Sequence, residues 1–178
     1  MSKRMFLPIL ACVFLFCTGS LASSQDIPET ITDLYKFKGI WVGEASLTNV
    51  GEPTITGEGY QYCRIVAGGW GLQCTSKLTS EELTYNEGVM AGYDVASDLV
   101  NWSCFNSFGQ AFTWTGQFTE PDTLVLEKSQ DLGGGVIMLD HGTWHFEDEN
   151  TLTLVNDISV GGQVVTEIRL RMTRIGRK

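Results

Sequence analysis

Between residues 88 and 116 the chain reads GVMAGYDVASDLVNWSCFNSFGQAFTWTG, three short apolar-rich runs cut by the turn signals DVASD and NSFG. Runs this short, bounded by Gly, Asn, Asp and Ser, are too brief for ordinary helices and predict strands over 88–93, 99–105 and 110–118. Tyr93, Trp102, Phe105, Phe112, Trp114 and Phe118 supply aromatic rings. Phe112, Trp114 and Phe118 lie an even number of residues apart and therefore share one face of their strand. A meander with an aromatic wall must bury that wall, so the rest of the chain has to fold around it.

The remaining sequence offers the same kind of element. PETITDLY (28–35) suits a short helical turn, with Pro28 at the first position and acids in the first turn. From Gly39 onward Trp41, Gly43, Ala45 and Leu47 alternate with Ile40, Val42, Glu44 and Ser46, the period of a strand. Further strands are expected over 54–66, 70–78, 84–93, 124–128, 136–146, 151–157 and 163–174, with Gly57 and Gly59 as bend or bulge points. About ten hairpin-linked strands with almost no helix predict an all-β chain. A closed up-and-down antiparallel barrel is the leading form, because closure removes exposed edges, and a sandwich is the other. The outward faces carry Arg64, Gln73, Lys77, Glu167, Arg169 and Arg171, which suits a soluble barrel rather than a lipid-facing one.

Residues 1–22 read as a leader. Lys3 and Arg4 precede an apolar run over 6–17, and Ser20-Leu21-Ala22 places small residues before Ser23. A cleaved secretory signal, with one barrel domain over 23–178 exported to the periplasm or beyond, is the expectation; an uncleaved anchor is the alternative. Cleavage removes two basic residues and no acids, so the formal charge falls from −9 to −11. So acidic a surface repels phosphate backbones and anionic headgroups, which argues against nucleic-acid and membrane partners.

Cys63, Cys74 and Cys104 remain in the exported chain, and no spacing suits a metal. A hairpin turning on Gly68-Gly69 would pair Val66 with Gly71, Ile65 with Leu72 and Cys63 with Cys74. Directly opposed cysteines lie within disulfide reach, so either a bridge or two buried thiols fits. The same register puts Cys63, Ile65, Trp70, Leu72 and Cys74 on one face and Arg64, Gln73 and Thr75 on the other.

Gly39-Ile40-Trp41, opening the first strand after a helical turn, resembles the start of lipocalin-like barrels. In those proteins the Trp plugs one barrel end under a basic residue of the closing strand. By alternation Arg174, on the face of Leu170 and Met172, is the residue able to cover Trp41. The wider pattern is similar to a large, mostly bacterial family of uncharacterised proteins, domain of unknown function fifteen-seventy-nine. The resembling pieces are Leu34…Gly39-x-Trp41-x-Gly43, Arg64 to Gly69, Gly92-Tyr93-Asp94…Trp102…Ser107-Phe108-Gly109 and Trp114-Thr115-Gly116. The resemblance implies a lipocalin-like fold and brings no catalytic residues.

Several functions stay open. A barrel of this size either fills its lumen or leaves room for one small ligand. Trp70, Tyr93, Phe112, Trp114 and Trp144 are the candidate lining for a small apolar or amphipathic molecule. An isomerase- or cyclase-like enzyme needs an inward acid or base, and none stands out by alternation; no Gly-x-Ser-x-Gly element occurs. Haem binding through His141 or His145 conflicts with alternation, because Trp144 and Phe146 take the opposite face. A packed module with no ligand is the remaining reading.

Overall fold

A computed structural model describes residues 26–176; the expected leader lies outside them. The described residues begin with the helix α1 (Glu29–Leu34) and a 3-10 turn (Tyr35–Phe37). Ten strands follow: β1 (Gly39–Asn49), β2 (Ile55–Val66), β3 (Gly71–Thr79), β4 (Thr84–Asp94), β5 (Leu99–Asn106), β6 (Ala111–Glu120), β7 (Thr123–Asp131), β8 (Ile137–Asp148), β9 (Thr151–Val160) and β10 (Gln163–Gly176). Each pairs antiparallel with its sequence neighbours, and β10 returns to β1 to complete a closed barrel. Trp41 faces Arg174 and Asn49 faces Thr166 across that seam. The expected up-and-down barrel, with its short N-terminal helix, is therefore what forms. Among the described residues no helix is long and apolar enough to cross a membrane.

The Gly68-Gly69 turn sets the β2–β3 register. Gly68 and Gly69 take positive φ, which glycine tolerates without strain, and Ala67 before them takes a positive φ as well. Cys63 then opposes Cys74, Ile65 opposes Leu72 and Val66 opposes Gly71. Cys63 and Cys74 form a disulfide across the pair, their Cα atoms 4.1 Å apart. On the outer face Arg64 donates to the Gln73 side-chain oxygen from Nε (2.9 Å) and Nη2 (2.6 Å).

Gly57 and Gly59 carry no bulge, since β2 runs in unbroken register against both neighbours. The register slips instead at Ile40/Trp41, Phe118/Glu120, Phe146/Asp148 and Val164/Thr166. Gly57 instead admits a close neighbour, since a Cβ there would lie 2.6 Å from the Thr79 carbonyl oxygen, and the tightest approaches fall on two other glycines. A Cβ on Gly43 would collide with the Arg171 carbonyl oxygen, and one on Gly116 with that of Val125.

The core fills one half of the cylinder. Leu72, Val100, Leu124 and Leu152 all point inward there and are completely buried, with Cys63 and Cys74 beside them. Ile31, Leu34 and Phe37 of the N-terminal segment are buried as well, so α1 and its 3-10 turn stopper that end. Phe37 meets Trp102, Trp144 and Phe146 edge-on, at centroid distances of 5.3, 5.6 and 4.8 Å. Such contacts add to the area that each ring buries.

Candidate functional site

At the stoppered end Trp41 is fully buried, and its indole Nε1 donates to the Phe37 carbonyl at 2.8 Å. The Arg174 guanidinium lies 4.3 Å above the Trp41 ring, and Nη2 donates to the Lys36 carbonyl at 2.5 Å. One cation thus stacks on the plug and ties the helical segment to the last strand. Tyr35 adds a second tie, its hydroxyl donating to the Gly69 carbonyl at 2.6 Å. A groove of about 400 Å³ lies beside this end, lined in part by Thr32, Lys36, Asp122 and Arg174. A second hollow of about 330 Å³ lies on the outer wall, between Glu44 and Arg169. The cations of both are already engaged: Lys36 with Asp33 and Asp122, Arg169 with Glu167 and Arg171 with Glu147. They are surface depressions with satisfied charges.

The other half of the lumen differs. Tyr85, Glu87, Phe112, Trp114, Lys128, Met138, Ile158 and Ile168 take inward positions, yet all stay half-buried. Solvent therefore reaches into this half. The loops around its mouth are apolar: Val50, Phe108, Leu132, Val136 and Val164 are 40–73% exposed.

Polar groups gather just below that mouth. Lys128 on β7 and Asp140 on β8 are register partners, with Nζ 3.9 Å from Oδ2. The Lys128 ammonium also lies 4.3 Å from the Phe112 ring centre and 5.9 Å from that of Trp114. Phe112 and Trp114 meet edge-on at 4.6 Å. From β4, the Tyr85 hydroxyl donates to Glu87 Oε1 at 3.0 Å. Burial pushes the Glu87 carboxyl above the ordinary range, and contacts with Tyr85 and the Cys104 thiol offset part of that rise. Burial raises Asp140 as well, against the pull of Asn156, Lys128 and Trp114. Tyr85 and Cys104 are both shifted upward by burial and by the Glu87 charge. Cys104 is a buried free thiol.

Two atoms of this cluster lack a hydrogen-bond partner although both are buried: Asp140 Oδ1 and Trp114 Nε1. The Trp114 indole and the Asn156 amide both lie within hydrogen-bonding reach of the Asp140 carboxyl and hold its pKa down.

The expected lining residues separate. Phe112 and Trp114 lie in the open half, and Trp144 lies further down, 6.0 Å from Trp102 and against Phe37. Trp70 sits in the β2–β3 turn at the stoppered rim, outside the apolar core. Tyr93 ends β4 at that same rim, its hydroxyl bonded to Asp98. The histidines take the outer wall. His141 Nδ1 pairs with Glu127 at 2.8 Å and His145 Nδ1 with the Thr123 hydroxyl at 3.0 Å.

The inward ionisable residues went unread in the sequence, although the signal was present. The alternation that sends His141 and His145 out sends Asp140 in with Trp144. The same rule turns Lys128 in with Leu126, and Glu87 in with Val89 and Ala91.

No family model matches the chain, and no curated protein matches it. Solved structures do. Rv2717c from M. tuberculosis is similar, with a TM-score of 0.64 and 15% identity over 84% of this chain and 99% of that one. The S-type phycobiliprotein lyase CPES from Guillardia theta is similar too, with a TM-score of 0.59 and 11% identity over 84% of this chain and 94% of that one. At such identities the likeness defines the class: a closed, lipocalin-like ten-stranded barrel.

Proposed function

We propose that this chain is an exported barrel that holds one small amphipathic molecule in the open half of its lumen. The carrying observation is the contrast along the barrel. Inward residues are sealed at the stoppered end and half-exposed, aromatic and polar at the mouth. A merely structural module gains from burying rings such as Phe112 and Trp114, not from leaving them half-exposed. The name of one structural neighbour, a phycobiliprotein lyase, is in keeping with a barrel of this shape working on a small-molecule-bearing partner. Export is supported by the leader-like first 22 residues and by the Cys63–Cys74 bond, which suits an oxidising compartment. The net acidity speaks against nucleic-acid partners, and membership of the domain-of-unknown-function family fifteen-seventy-nine is part of the same proposal.

Native mass spectrometry of the protein recovered from its exporting host tests this reading. A bound species of a few hundred daltons is expected. A bare mass, together with tryptophan emission that ignores a panel of apolar compounds, overturns it. A second reading is favoured by Glu87, Lys128 and Asp140, which supply the inward acid and base that an isomerase- or cyclase-like enzyme requires. Chemical turnover of the co-purified molecule decides for it.

A further inference from the structure

We propose that the mouth of the barrel docks on a zwitterionic lipid surface through the aliphatic tips of three adjacent hairpins. The inference goes beyond the ligand-binding reading above and stands without a cargo in the lumen. The tips are the β1–β2 loop (50–54), the β9–β10 turn (161–162) and the β7–β8 loop (132–136), neighbours around the ring of strands. Val50, Leu132, Val136, Ile137, Val164 and Val165 lie on or beside them and are 37–73% exposed. Hydrogen bonds hold the tips side by side. The Val50 amide donates to the Val165 carbonyl and the Gly161 amide to the Ile137 carbonyl, each at 3.0 Å. The aliphatic side chains therefore form one band along the rim, unlike the scattered apolar residues of an ordinary surface.

Shape and charge select the occupant. A Cβ added to Gly51, Gly133, Gly134, Gly135, Gly161 or Gly162 would meet nothing within 4 Å, so the tips stand clear of the barrel as knobs. A folded partner needs sockets for such knobs, whereas the interfacial layer of a bilayer yields to them. The loops at this end contain the acids Glu52, Glu81 and Glu82 and no basic residue. Two copies set mouth to mouth would bring those acids together, and anionic headgroups would repel them. A zwitterionic surface sets no net charge against them. Below the tips the outer wall exposes Lys77, Glu127 and Arg169, which keeps the barrel from sinking past its rim.

Flotation of the mature protein with phosphatidylcholine vesicles at physiological ionic strength reads this out. Binding is expected, and it should weaken as phosphatidylglycerol replaces phosphatidylcholine. Val50→Ser/Leu132→Ser/Val164→Ser should lower the partition coefficient at least about tenfold, since half-burial of one aliphatic side chain is worth about a factor of five. Val95→Ser/Ile175→Ser removes two side chains at the stoppered end, 58% and 64% exposed, and should leave binding unchanged. All five positions are exposed, and circular dichroism checks that both variants fold. No binding to phosphatidylcholine, tighter binding to phosphatidylglycerol, or a triple variant that binds like the parent overturns the proposal. So does a parent that sediments as a dimer beside a monomeric triple variant, which would make the band a contact between copies. Each of these results leaves the lumen reading to its own mass-spectrometric test.

Discussion

Replacing Lys128 and Asp140 together, as Lys128→Met/Asp140→Leu, should leave the barrel as stable as the parent or more so. The magnitudes follow from their positions. Asp140 is 7% exposed and Lys128 20%, and Nζ stands 3.9 Å from Oδ2, at the outer limit of an ion pair. Attraction at that distance recovers little of the cost of desolvating two charges. Exchanging such a pair for apolar groups of similar volume is neutral or stabilising by about 1–4 kcal/mol. Lys128→Met alone is different, because it strands the Asp140 carboxylate. It should cost about 3 kcal/mol, the low end for a broken buried pair, since the carboxyl can take up a proton instead. Asp140→Leu alone should cost under about 1 kcal/mol, because Lys128 keeps its rings and can extend to water. Thermal unfolding followed by circular dichroism reads the whole cycle, at about 2–4 °C per kcal/mol for a chain of this length. The double variant is expected within a few degrees of the parent or above it, and Lys128→Met about 6–12 °C below. A double variant that falls more than about 2 kcal/mol below the parent makes the pair structural, and the case for a site retained for a ligand fails.

Removing the disulfide with Cys63→Ala/Cys74→Ala should cost about 3 kcal/mol, from loop entropy over a separation of 11 residues. In the native state the bond should resist mild reductant, because both cysteines are buried; free-thiol titration checks this. Gly116→Ala should cost about 1–3 kcal/mol by forcing a Cβ against the Val125 carbonyl, readable as a lowered urea midpoint. Glu87 and Asp140 have raised carboxyls in the fold, so their stabilising effect is complete at pH below the unfolded carboxylate range and is lost as pH rises through the folded values. Glu87→Gln should therefore gain stability relative to the parent as the pH climbs above about 4.3, the ordinary glutamate value, and a gap that narrows instead contradicts the assignment.

Much of the barrel was legible because alternation and glycine placement act locally. The Gly68-Gly69 turn alone sets a register that brings Cys63 to Cys74, and each strand carries its own apolar face. The Trp41–Arg174 stack followed from parity along one strand. The bulges were not legible. They fall at strand ends such as Phe146/Asp148, where closure of the cylinder, a property of all ten strands together, decides where register slips. Trp70 and Tyr93 looked like lining because they are aromatic, but Trp70 lies in a turn and Tyr93 at a rim. The polar cluster was missed for a different reason. Charged residues at strand period read as outer wall, and only the three-dimensional meeting of β4, β6, β7 and β8 shows Glu87, Trp114, Lys128 and Asp140 in one place.

Of the five tryptophans, Trp114 alone lies toward the mouth; Trp41, Trp70, Trp102 and Trp144 lie at or near the stoppered end, so the indole N–H resonances report on the two halves separately. Titrating nitrogen-15-labelled mature protein with the co-purified small molecule should shift the Trp114 indole resonance first and furthest, while those of Trp41 and Trp70 hold still. Shifts confined to Trp41 or Trp70, or no shift at saturation, would show that the open half of the lumen is not where this barrel meets a ligand.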